Sequence, residues 1–560
     1  MRLTLVSDFN IELLGRYLAN APSPVKFSVS VTAFNQVPQA LAAPLDSGTE
    51  EQASFVWTRA ESVIPSFAEA LAFKPADAAA CLAETDAFAE ALLGFAKAQR
   101  CCLVASWVLP PGERGYGPLD WRLGLGLAGL VAQMNLRLAE RLARAGNILI
   151  LDASRWMAAG ARADAPKMWF TTKVPYSHAV LQGAASDVTA ALAADAGLSR
   201  RIIILDLDNT LWGGVVGETG WEGLRLGGHD HIGEAHEAFQ LALKALSRRG
   251  VQLALASKNE ESTALEALDR HPAMALRRGD FAGWRINWGD KAANIAALLD
   301  DLRLGQDAAV FIDDEPAERD RVRTALPGIL VPEWPSDPAE FIPALRALRC
   351  FDAASLSPED RERTGFYAAE RSRRESQTSA VSSEDWLLRL GSQVRVEPVA
   401  GANIKRVAQL FNKTNQLNLS TRRLSESQIL DWASSPERTL LALSVSDRFG
   451  DMGLTGVIGL ERSGKDMLVT DFILSCRIMG RRVEQAMLHL AVEHCQRRGA
   501  ERLLARYLPT PRNAPTLRVL RESGLSESAG GIFSWDCGRP FPKPEGLTLS
   551  LAQGVDGAPA

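Results

Sequence analysis

The sequence predicts a multidomain α/β protein, and three observations predict it. The chain has 560 residues, enough for several domains of ~100–200 residues each. Over residues 1–350, short runs of branched aliphatic residues alternate with amphipathic segments, which is typical of helices layered on a parallel sheet. A polar and charged stretch, 351–385, is predicted to be a linker with a helix in its first half. The region that follows, 386–540, has several further strand patterns, and we expect an α+β domain there.

Composition and charge narrow the class of protein. Hydrophobic residues make up 46% and charged residues 23% of the chain, as in soluble globular proteins. The net charge is −5 without a long basic block, which argues against nucleic acid as a partner. Asp8 interrupts the first apolar stretch, which argues against a signal peptide. The longest apolar run, 123–132, is far shorter than the ~20 residues that span a bilayer. We therefore expect no membrane partner. Seven cysteines without a CxxC pair indicate a reduced, cytoplasmic protein.

Residues 1–196 are predicted to form an α/β domain. Its predicted strands are Leu3–Val6, Val25–Val31, Ser54–Val56, Cys102–Val108 and Asn147–Leu151, with helices such as Phe67–Phe73 and Thr85–Arg100 between them. Ser7 and Asp8 follow the first strand. A hydrolase would use Ser7 as the nucleophile and His178 as the base. A strand-end cap at Ser7 is the favoured interpretation, and we expect a docking or substrate-binding role.

Residues 197–350 contain a second α/β pattern with two acidic residues at a strand end. The strand Ile202–Leu205 is followed by Asp206 and Asp208. Two carboxylates at one point oppose each other's ionisation, and Mg²⁺, which prefers oxygen ligands, would relieve this. Asp206 is therefore a candidate nucleophile that forms an aspartyl-phosphate, and Asp208 a candidate acid/base. A helix cap or a calcium site is the alternative for this pair.

Three further polar groups are predicted near this pair. The strand Leu253–Ala256 ends at Ser257, Lys291 opens the helix Asp290–Leu302, and the strand Ala309–Ile312 ends at Asp313 and Asp314. Ligands of open parallel sheets gather at the carboxyl ends of the strands, so these groups suit a phosphate and a cation. Taken singly, each has a plainer interpretation as a cap, an exposed lysine or a surface turn. A helix over Glu234–Arg249 has a predicted core face of Ala235, Ala238, Phe239, Ala242, Ala245 and Leu246.

The region 386–540 has predicted strands at Leu440–Val445, Thr455–Leu460 and Met467–Ile473 and a helix at Val483–Arg498. Backbone N–H groups between a strand and a helix can hold a pyrophosphate, which makes this junction a candidate anion site with Ser475, Arg477, Gly480 and Arg482. Cys476 lies beside Arg477, which favours a thiolate able to carry an acyl group; an inert buried cysteine is the alternative. Residues 541–560 are predicted to be a disordered tail.

The order of these motifs resembles a known superfamily. DxDxT, a strand-end serine, a lysine and a strand-end Asp-Asp resemble the four motifs of the haloacid dehalogenase (HAD) phosphotransferases, which have a Rossmann-like core. DLDNTLWGGVVGE, ASKNE, WGDKAANI and FIDDEPAERD are similar to its FkbH-like branch in subfamily IIIC. The resemblance implies a phosphoryl acceptor at Asp206, an acid/base at Asp208, phosphate contacts from Thr210 and Ser257, charge neutralisation by Lys291, a flap from Trp212-Gly213-Gly214, and magnesium ligands at Asp206, Asp208 (through its backbone carbonyl), Asp313 and Asp314.

Both flanking regions carry weaker resemblances. Arg477–Arg482 resembles the coenzyme A signature RxxGx(G/A) of GNAT acyltransferases, but Arg482 stands where a small residue is usual. This departure suits a phosphopantetheine arm better than coenzyme A, so the resemblance implies an acyl or pantetheine site at this strand–helix junction. NKTNQLNLSTRR, FGDMGLTGVIG and LPTPRN are similar to the carboxy-terminal half of FkbH-like proteins, so that resemblance covers about 197–537. The segment 6–18 resembles the SGNH-hydrolase-like extension ahead of some FkbH-like domains, without a GDS block.

The FkbH-like resemblance implies a specific reaction. Such enzymes take 1,3-bisphosphoglycerate, load its glyceryl group onto an acyl carrier protein and remove phosphate, using Mg²⁺ and a phosphopantetheine or coenzyme A thiol. We therefore expect a biosynthetic enzyme of a natural-product or cell-surface glycan pathway. A plain small-molecule phosphatase and a GNAT-type N-acyltransferase with an accessory HAD phosphatase stay open as alternatives. A non-enzymatic scaffold fits poorly because all four phosphate-site motifs are intact.

Overall fold

A computed structural model describes residues 1–42, 52–74, 77–158, 162–228, 230–354, 383–414, 417–475, 478–510 and 513–552. The chain divides into two units, one of Met1–Ser199 with Arg349–Ala354, and one of Arg200–Leu348 with the described residues from 383 onward. Two parallel sheets and one mixed sheet confirm the predicted multidomain α/β class. Among the described helices, none is both long and apolar enough to cross a membrane.

The first unit contains a five-stranded parallel sheet. Its strands are β1 (Arg2–Ser7), β2 (Ser28–Val31), β3 (Gln52–Trp57), β4 (Cys101–Ala105) and β5 (Ile148–Leu151), in the order β2-β1-β3-β4-β5. Its α-helices are Glu12–Asn20, Val37–Ala42, Ala60–Val63, Pro65–Leu71, Ala78–Ala96, Leu127–Leu142, Ala153–Met157, Pro166–Thr172 and His178–Asp195. Alternate residues of β4 belong to two separate cores, one on each face of the sheet. Helices on both faces therefore explain its continuous apolar run.

The second unit begins with a four-stranded parallel sheet. Its strands are β6 (Ile202–Leu205), β7 (Gln252–Ser257), β8 (Phe281–Ile286) and β9 (Ala309–Ile312), in the order β8-β7-β6-β9. Its α-helices are Val216–Thr219, His231–Arg248, Glu261–Arg270, Lys291–Asp301, Pro316–Ala325 and Phe341–Ala347. Every residue of β6 and β9 is buried. The polar residues that follow these strands therefore lie together at the carboxyl edge of the sheet.

The buried face of the helix His231–Arg248 differs from the predicted one. The structure buries Gly233, His236, Phe239, Gln240, Leu243 and Ser247, so only Phe239 of the predicted face is fully buried. The prediction was wrong because it placed polar side chains outside. His236 and Gln240 are buried because backbone carbonyls accept their hydrogen bonds, which compensates the loss of water.

A mixed sheet completes the second unit. Its strands are β10 (Ser392–Pro398), β11 (Leu417–Asn418), β12 (Arg438–Asp447), β13 (Gly450–Ser463), β14 (Asp466–Leu474), β15 (Arg502–Arg506), β16 (Ser526–Ser528), β17 (Ile532–Asp536) and β18 (Leu547–Leu551). They run in the order β16-β17-β15-β14-β13-β12-β10-β18, with β11 paired to β14. Its described helices are Ser383–Leu390, Ile404–Lys413, Glu426–Ala433, Val483–Arg497 and Ala514–Glu522.

Two predicted boundaries need correction. The tail 541–560 is not wholly disordered, because β18 pairs in parallel with Ser392–Val396 of β10. Its alternating sequence, LTLSL, buries Leu547 while its backbone satisfies an otherwise open sheet edge. Arg349–Ala354 belongs to the first unit, where the Ser199 hydroxyl donates to the Asp352 carbonyl at 2.5 Å. Residues 355–382, with the helix predicted in the first half of the linker, lie outside the described residues.

Candidate functional site

Three carboxylates converge at the carboxyl edge of the four-stranded sheet. β6 and β9 are paired in register, and the Asp206 N–H donates to the Ile312 carbonyl at 3.0 Å. This pairing sets Asp206 beside Asp313 and Asp314, and one carboxylate oxygen from each lies within 4.8 Å of the others. Asp206 and Asp313 are buried. Such a group of like charges is costly unless a cation balances it.

Lys291 supplies only part of that balance. Its Nζ lies 2.6 Å from Asp313 Oδ2 and 3.1 Å from Asp206 Oδ1, and its side chain is buried. It is the first residue of the helix Lys291–Asp301, which Asp290 caps by accepting from the Ala293 N–H. One ammonium group faces three carboxylates. Two negative charges therefore stay uncompensated when all three carboxylates are ionised.

The acid–base properties follow from this charge excess. Burial, followed by repulsion from Asp313, raises the pKa of Asp206 to about 7, although the charge of Lys291 and hydrogen bonds from Ser257 and Lys291 act in the opposite direction. Burial and the Asp313 charge also raise the pKa of Asp314. Burial lowers the pKa of Lys291, but attraction to Asp206 and Asp313 outweighs it, so that pKa is raised overall.

The donor set fits a hard divalent cation. Three carboxylates offer oxygen ligands, which Mg²⁺ prefers, and two uncompensated negative charges match its charge. The raised pKa values of Asp206 and Asp314 show that the site disfavours ionisation without such an ion. Asp206, Asp313 and Asp314 are the residues that would hold it.

The side chain of Asp208 does not join this cluster, contrary to the expectation that it points the same way as Asp206. Its Oδ1 accepts from Trp212 Nε1 at 2.8 Å and from the Val216 N–H at 3.1 Å, and its Oδ2 accepts from Asn259 Nδ2 at 2.9 Å. The chain leaves β6 in a tight turn, with Asn209 at a φ of +53°, and these three donors hold the carboxylate outside the group of Asp206, Asp313 and Asp314. Only its backbone carbonyl stays a predicted magnesium ligand.

The two predicted phosphate-binding hydroxyls lie next to the acids. Thr210 is fully buried, and its Oγ1 donates to Asp314 Oδ1 at 3.3 Å. Ser257 ends β7, is buried, and accepts from Asn259 Nδ2 at 3.3 Å. Asn259 therefore links Ser257 to Asp208, a role that sequence reasoning missed.

The segment predicted to begin a flap is packed in this structure. Trp212 is fully buried, and Gly213 exchanges two backbone hydrogen bonds with Arg225, at 3.0 and 2.9 Å. A Cβ at Gly213 would lie 3.0 Å from the Arg225 Cβ, so a larger residue would push the two segments apart. Gly214 has a φ of +97°, a conformation that favours glycine. Both glycines are thus required by the local backbone.

Three supporting residues were not identified from the sequence. Gln240 Nε2 donates to the Leu211 carbonyl at 2.8 Å, and His236 Nδ1 lies 3.2 Å from the Thr210 carbonyl. The buried Arg319 donates to the carbonyls of Asp313 and Asp314 at 2.9 and 2.7 Å. The spacing of His236 and Gln240 by four residues on one helix face was the available indication. Nothing in the sequence indicated the role of Arg319.

The predicted acyl or pantetheine site is only partly described, because Cys476 and Arg477 lie outside the described residues. The Ser475 N–H donates to the Thr455 carbonyl at 2.8 Å, and the Gly480 N–H donates to Glu484 Oε1 at 2.7 Å. The Gly480 donor expected to face an anionic ligand is therefore bonded to a carboxylate of the protein. This arrangement is less suited to a diphosphate than the sequence suggested.

Arg482 also has protein partners. Its Nη2 lies 3.0 Å from Glu384 Oε1, and its Nη1 donates to the Glu545 carbonyl at 3.2 Å. It adopts a left-handed conformation, with a φ of +63°, just before the helix Val483–Arg497. The structure thus directs the Arg482 charge toward the segments that flank the mixed sheet.

Two strings noted in the carboxy-terminal region meet in space. Asn513 Nδ2 donates to the Asn418 carbonyl at 3.1 Å, and the Asn418 N–H donates to Thr516 Oγ1 at 3.1 Å. The fully buried Asp471 accepts from Ser420 Oγ and from Arg422 Nε, each at 3.0 Å. These polar residues hold β11 against β14 and the helix Ala514–Glu522, which is a structural role.

In the first unit, Ser7 and His178 bond to other groups. Ser7 Oγ accepts from the Phe9 N–H at 3.2 Å, as in a local serine turn. His178 Nδ1 lies 2.6 Å from the Tyr17 hydroxyl. Asp8 is buried and accepts from the Arg59 N–H and from Arg59 Nε, each at 2.8 Å. This geometry agrees with the strand-end cap rather than with a catalytic pair.

Comparison with known proteins gave matches among solved structures only; no family model and no curated protein matches the chain. The N-terminal part of a Bacteroides fragilis protein, containing a phosphatase domain complexed with Mg, is similar over 64% of this chain and 95% of that chain, with 26% identity and a TM-score of 0.57. This neighbour agrees with a phosphatase-type fold.

Acetyltransferase structures match a smaller part of the chain. The ribosomal-protein-S18-alanine N-acetyltransferase from Escherichia coli is 8% identical, covers 25% of this chain and 89% of its own, and has a TM-score of 0.20. A GNAT-family acetyltransferase from Streptococcus pneumoniae is 11% identical, covers 26% and 98%, and has a TM-score of 0.21. These scores are low, and nothing about this chain is concluded from them.

Proposed function

We propose that the second unit is a magnesium-dependent HAD-type phosphotransferase of the FkbH-like branch, with Asp206 as the phosphoryl acceptor. One observation carries the proposal, namely that Asp206, Asp313 and Asp314 converge within 4.8 Å while Lys291 bridges two of them. The Mg-complexed phosphatase domain of the similar Bacteroides fragilis protein supports it. Bound Mg²⁺ would supply charge neutralisation for the phosphoryl oxygens.

The residues of the chain have distinct roles in this reaction. Lys291 offsets the charge of the phosphate and of Asp206, and the hydroxyls of Thr210 and Ser257 hold phosphoryl oxygens. A carboxylate oxygen of Asp206 attacks phosphorus, and the bond from phosphorus to the leaving oxygen breaks. Water then attacks the aspartyl-phosphate, which releases inorganic phosphate and restores Asp206.

Asp208 would serve as the general acid and base. In the structure its Oδ1 accepts two N–H bonds, from Trp212 and Val216, and its Oδ2 accepts one, from Asn259. The second lone pair of Oδ2 would carry the proton that is given to the leaving group and later taken back from the attacking water. Because both donors to Oδ1 belong to the segment from Trp212 to Val216, movement of the flap would change the orientation of this carboxyl group.

The phosphatase reaction would be joined to acyl transfer. The substrate is 1,3-bisphosphoglycerate by resemblance, and its acyl phosphate can react with a thiol so that a thioester forms and inorganic phosphate leaves. We assign this thiol to Cys476, which would pass the phosphoglyceryl group to the phosphopantetheine thiol of an acyl carrier protein. The Asp206 site would then remove the remaining phosphate, which leaves the glyceryl thioester. Support comes from the sequence, in which Cys476 is next to Arg477, because a neighbouring cation favours the thiolate.

Intact mass spectrometry of holo acyl carrier protein, incubated with enzyme, Mg²⁺ and 1,3-bisphosphoglycerate, tests the proposal. We expect a glyceryl adduct with the native enzyme and a phosphoglyceryl adduct with Asp206→Asn, because that variant cannot remove the remaining phosphate. Cys476→Ala should give no adduct while retaining Asp206-dependent phosphate release. A normal loading rate with Cys476→Ala would contradict the relay. Phosphate release without any adduct would assign the plain phosphatase instead.

A further inference from the structure

The loop that follows β4 in the first unit exposes a set of large apolar side chains. We call this set the loop patch, and its members are Phe73, Tyr116, Leu119, Trp121, Leu123 and Leu125. Trp121 and Leu123 are each 72% exposed, and Phe73 joins the set through an edge contact with Tyr116, with ring centroids 5.1 Å apart. Clustered exposed apolar side chains of this kind mark interaction sites, whereas single ones are normal.

The backbone beneath the loop patch is held firmly in place. The buried Asp120 carboxylate accepts from the N–H groups of Tyr116, Leu127 and Ala128 at 3.1, 2.9 and 2.8 Å. A Cβ at Gly126 would lie 1.9 Å from the Asp120 carbonyl oxygen, so only glycine permits this close approach. A buried carboxylate and a required glycine therefore fix the backbone of a loop that exposes apolar side chains to solvent.

The loop patch also carries positive charge. Lys74, Arg114 and Arg122 are exposed, and none of them forms an ion pair within the described parts of the chain. The local acids are engaged elsewhere: Glu113 accepts from the N–H groups of Arg114 and Gly115, and Asp120 is buried. A cationic, apolar surface on a chain with a net charge of −5 favours an acidic partner through charge complementarity.

We propose that the loop patch docks an acidic protein that presents an apolar helical face bordered by carboxylates. Its identification as the acyl carrier protein rests on the proposed function. The patch follows the carboxyl end of a parallel strand, the side on which open α/β sheets receive ligands. Trp121 and Leu123 would enter the apolar face, and Arg114 and Arg122 would meet the carboxylates.

Two other occupants fit less well. In a symmetric dimer the same patch lies on both sides of the interface, so the cations of the two copies would face each other. A fixed loop shape adds little to the affinity for a fluid bilayer. It raises the affinity for a protein partner, because the loop loses little conformational entropy on binding. The fixed backbone and the excess of positive charge therefore favour a protein of opposite charge.

Fluorescence anisotropy of each labelled acyl carrier protein of the source organism, in apo and holo forms, tests the proposal with the full chain. We expect at least one to bind in both forms, and Trp121→Ala or Arg122→Glu to weaken its binding about tenfold or more, as truncation of a buried anchor does. Lys26→Glu is the matched charge control, because Lys26 is exposed and precedes β2 at the amino end of the same sheet. Leu241→Ala is the control for loss of an exposed leucine.

Each alternative outcome is decisive. Absence of binding, or equal binding by the variants, overturns the docking site. If the chain self-associates in sedimentation and Trp121→Ala abolishes this, the patch binds a second copy. If the chain floats with vesicles of equal phosphatidylcholine and phosphatidylserine and Trp121→Ala abolishes this, the patch binds a membrane. Either result overturns the proposal. Normal binding of the acyl carrier protein without acyl loading would support the docking site and contradict the proposed acyl transfer. A separate assay of Asp206-dependent phosphate release tests the phosphatase part of the proposed function.

Discussion

The carboxyl ends of β1 and β6 differ in how the protein balances a buried aspartate. Each strand is an interior member of its parallel sheet and is followed by a buried aspartate, Asp8 in the first unit and Asp206 in the second. Asp8 meets one guanidinium, that of Arg59, at 2.8 Å, and a single further carboxylate, that of Glu61, lies 3.6 Å from the same guanidinium. Asp206 meets two further carboxylates and one ammonium, which leaves a larger excess of negative charge.

The difference lies in the local charge count rather than in the fold. A paired buried carboxylate is satisfied by the protein itself and contributes to stability. A group of three carboxylates with one lysine is satisfied only when a cation arrives from solution, so folding leaves a binding site in place. We accordingly assign a structural role to the aspartate at the end of β1 and propose a functional role for the one at the end of β6.

The largest expected effect concerns activity. Asp206→Asn removes the attacking carboxylate and should lower magnesium-dependent phosphate release from acetyl phosphate about a thousandfold or more. Asp8→Asn, at the corresponding place in the other sheet, should change it less than about twofold, because the phosphoryl chemistry does not involve Asp8. A colorimetric phosphate assay measures both. Comparable losses in the two variants would remove the distinction between the strand ends.

Stability should change in opposite directions. Asp8→Asn breaks a largely buried ion pair and should lower the free energy of unfolding by about 2 kcal/mol, less than a fully buried pair would cost because Arg59 is partly exposed. Asp206→Asn removes a repelled charge and should raise it by about 1 kcal/mol in the absence of metal. Urea unfolding with EDTA near pH 8 compares them. A destabilised Asp206→Asn protein would show that Lys291 already balances the cluster.

The dependence on pH sharpens the same contrast. The pKa of Asp206 is raised from 3.8 to about 7 on folding, so its contribution to stability is greatest below pH 3.8 and is lost as the pH rises through about 7. Mg²⁺ favours the ionised cluster and should therefore raise the melting temperature more near pH 8 than near pH 5.5. Thermal unfolding with Mg²⁺ or EDTA measures this increase in melting temperature at each pH. In Asp206→Asn the increase should no longer depend on pH. A larger increment at the lower pH would contradict the account.

A smaller effect is expected at the residues behind the flap. Gln240→Met keeps the side-chain length but leaves the Leu211 carbonyl without its donor and the N–H groups of Ala275 and Leu276 without their side-chain acceptor. This change should cost about 2–4 kcal/mol of stability. Because the start of the flap then loosens, we expect kcat for phosphate release to fall about tenfold while the affinity for Mg²⁺ is unchanged. Leu241→Ala on the same helix is the control. Loss of Mg²⁺ affinity in Gln240→Met would place Gln240 in the metal site instead.

The sequence predicted those parts of the site that depend only on where parallel strands end. Ser257, Asp206, Asp313 and Asp314 each follow a short buried strand, so one assumption about the sheet brings them together. Lys291 was found because it opens a helix at the same edge. Repetition of one simple geometric rule made this region predictable.

Other features depend on contacts that strand patterns do not encode. The Asp208 carboxylate is held outside the cluster by the donors on Trp212 and Val216. His236 and Gln240 were placed on the wrong face because their burial depends on carbonyls some 26 and 29 residues earlier. β18 was missed because its pairing with β10 crosses 156 residues. The burial of His236 and Gln240 and the pairing of β18 thus depend on partners far along the chain, whereas the Asp208 carboxylate depends on donors four and eight residues later.

Isothermal titration calorimetry of the metal-free full chain with Mg²⁺ tests the central claim most directly. The account predicts one ion bound per chain at the cluster of Asp206, Asp313 and Asp314, with binding lost in Asp313→Asn and retained in Asp8→Asn. An absence of binding by the native chain, or unchanged binding by Asp313→Asn, would contradict it.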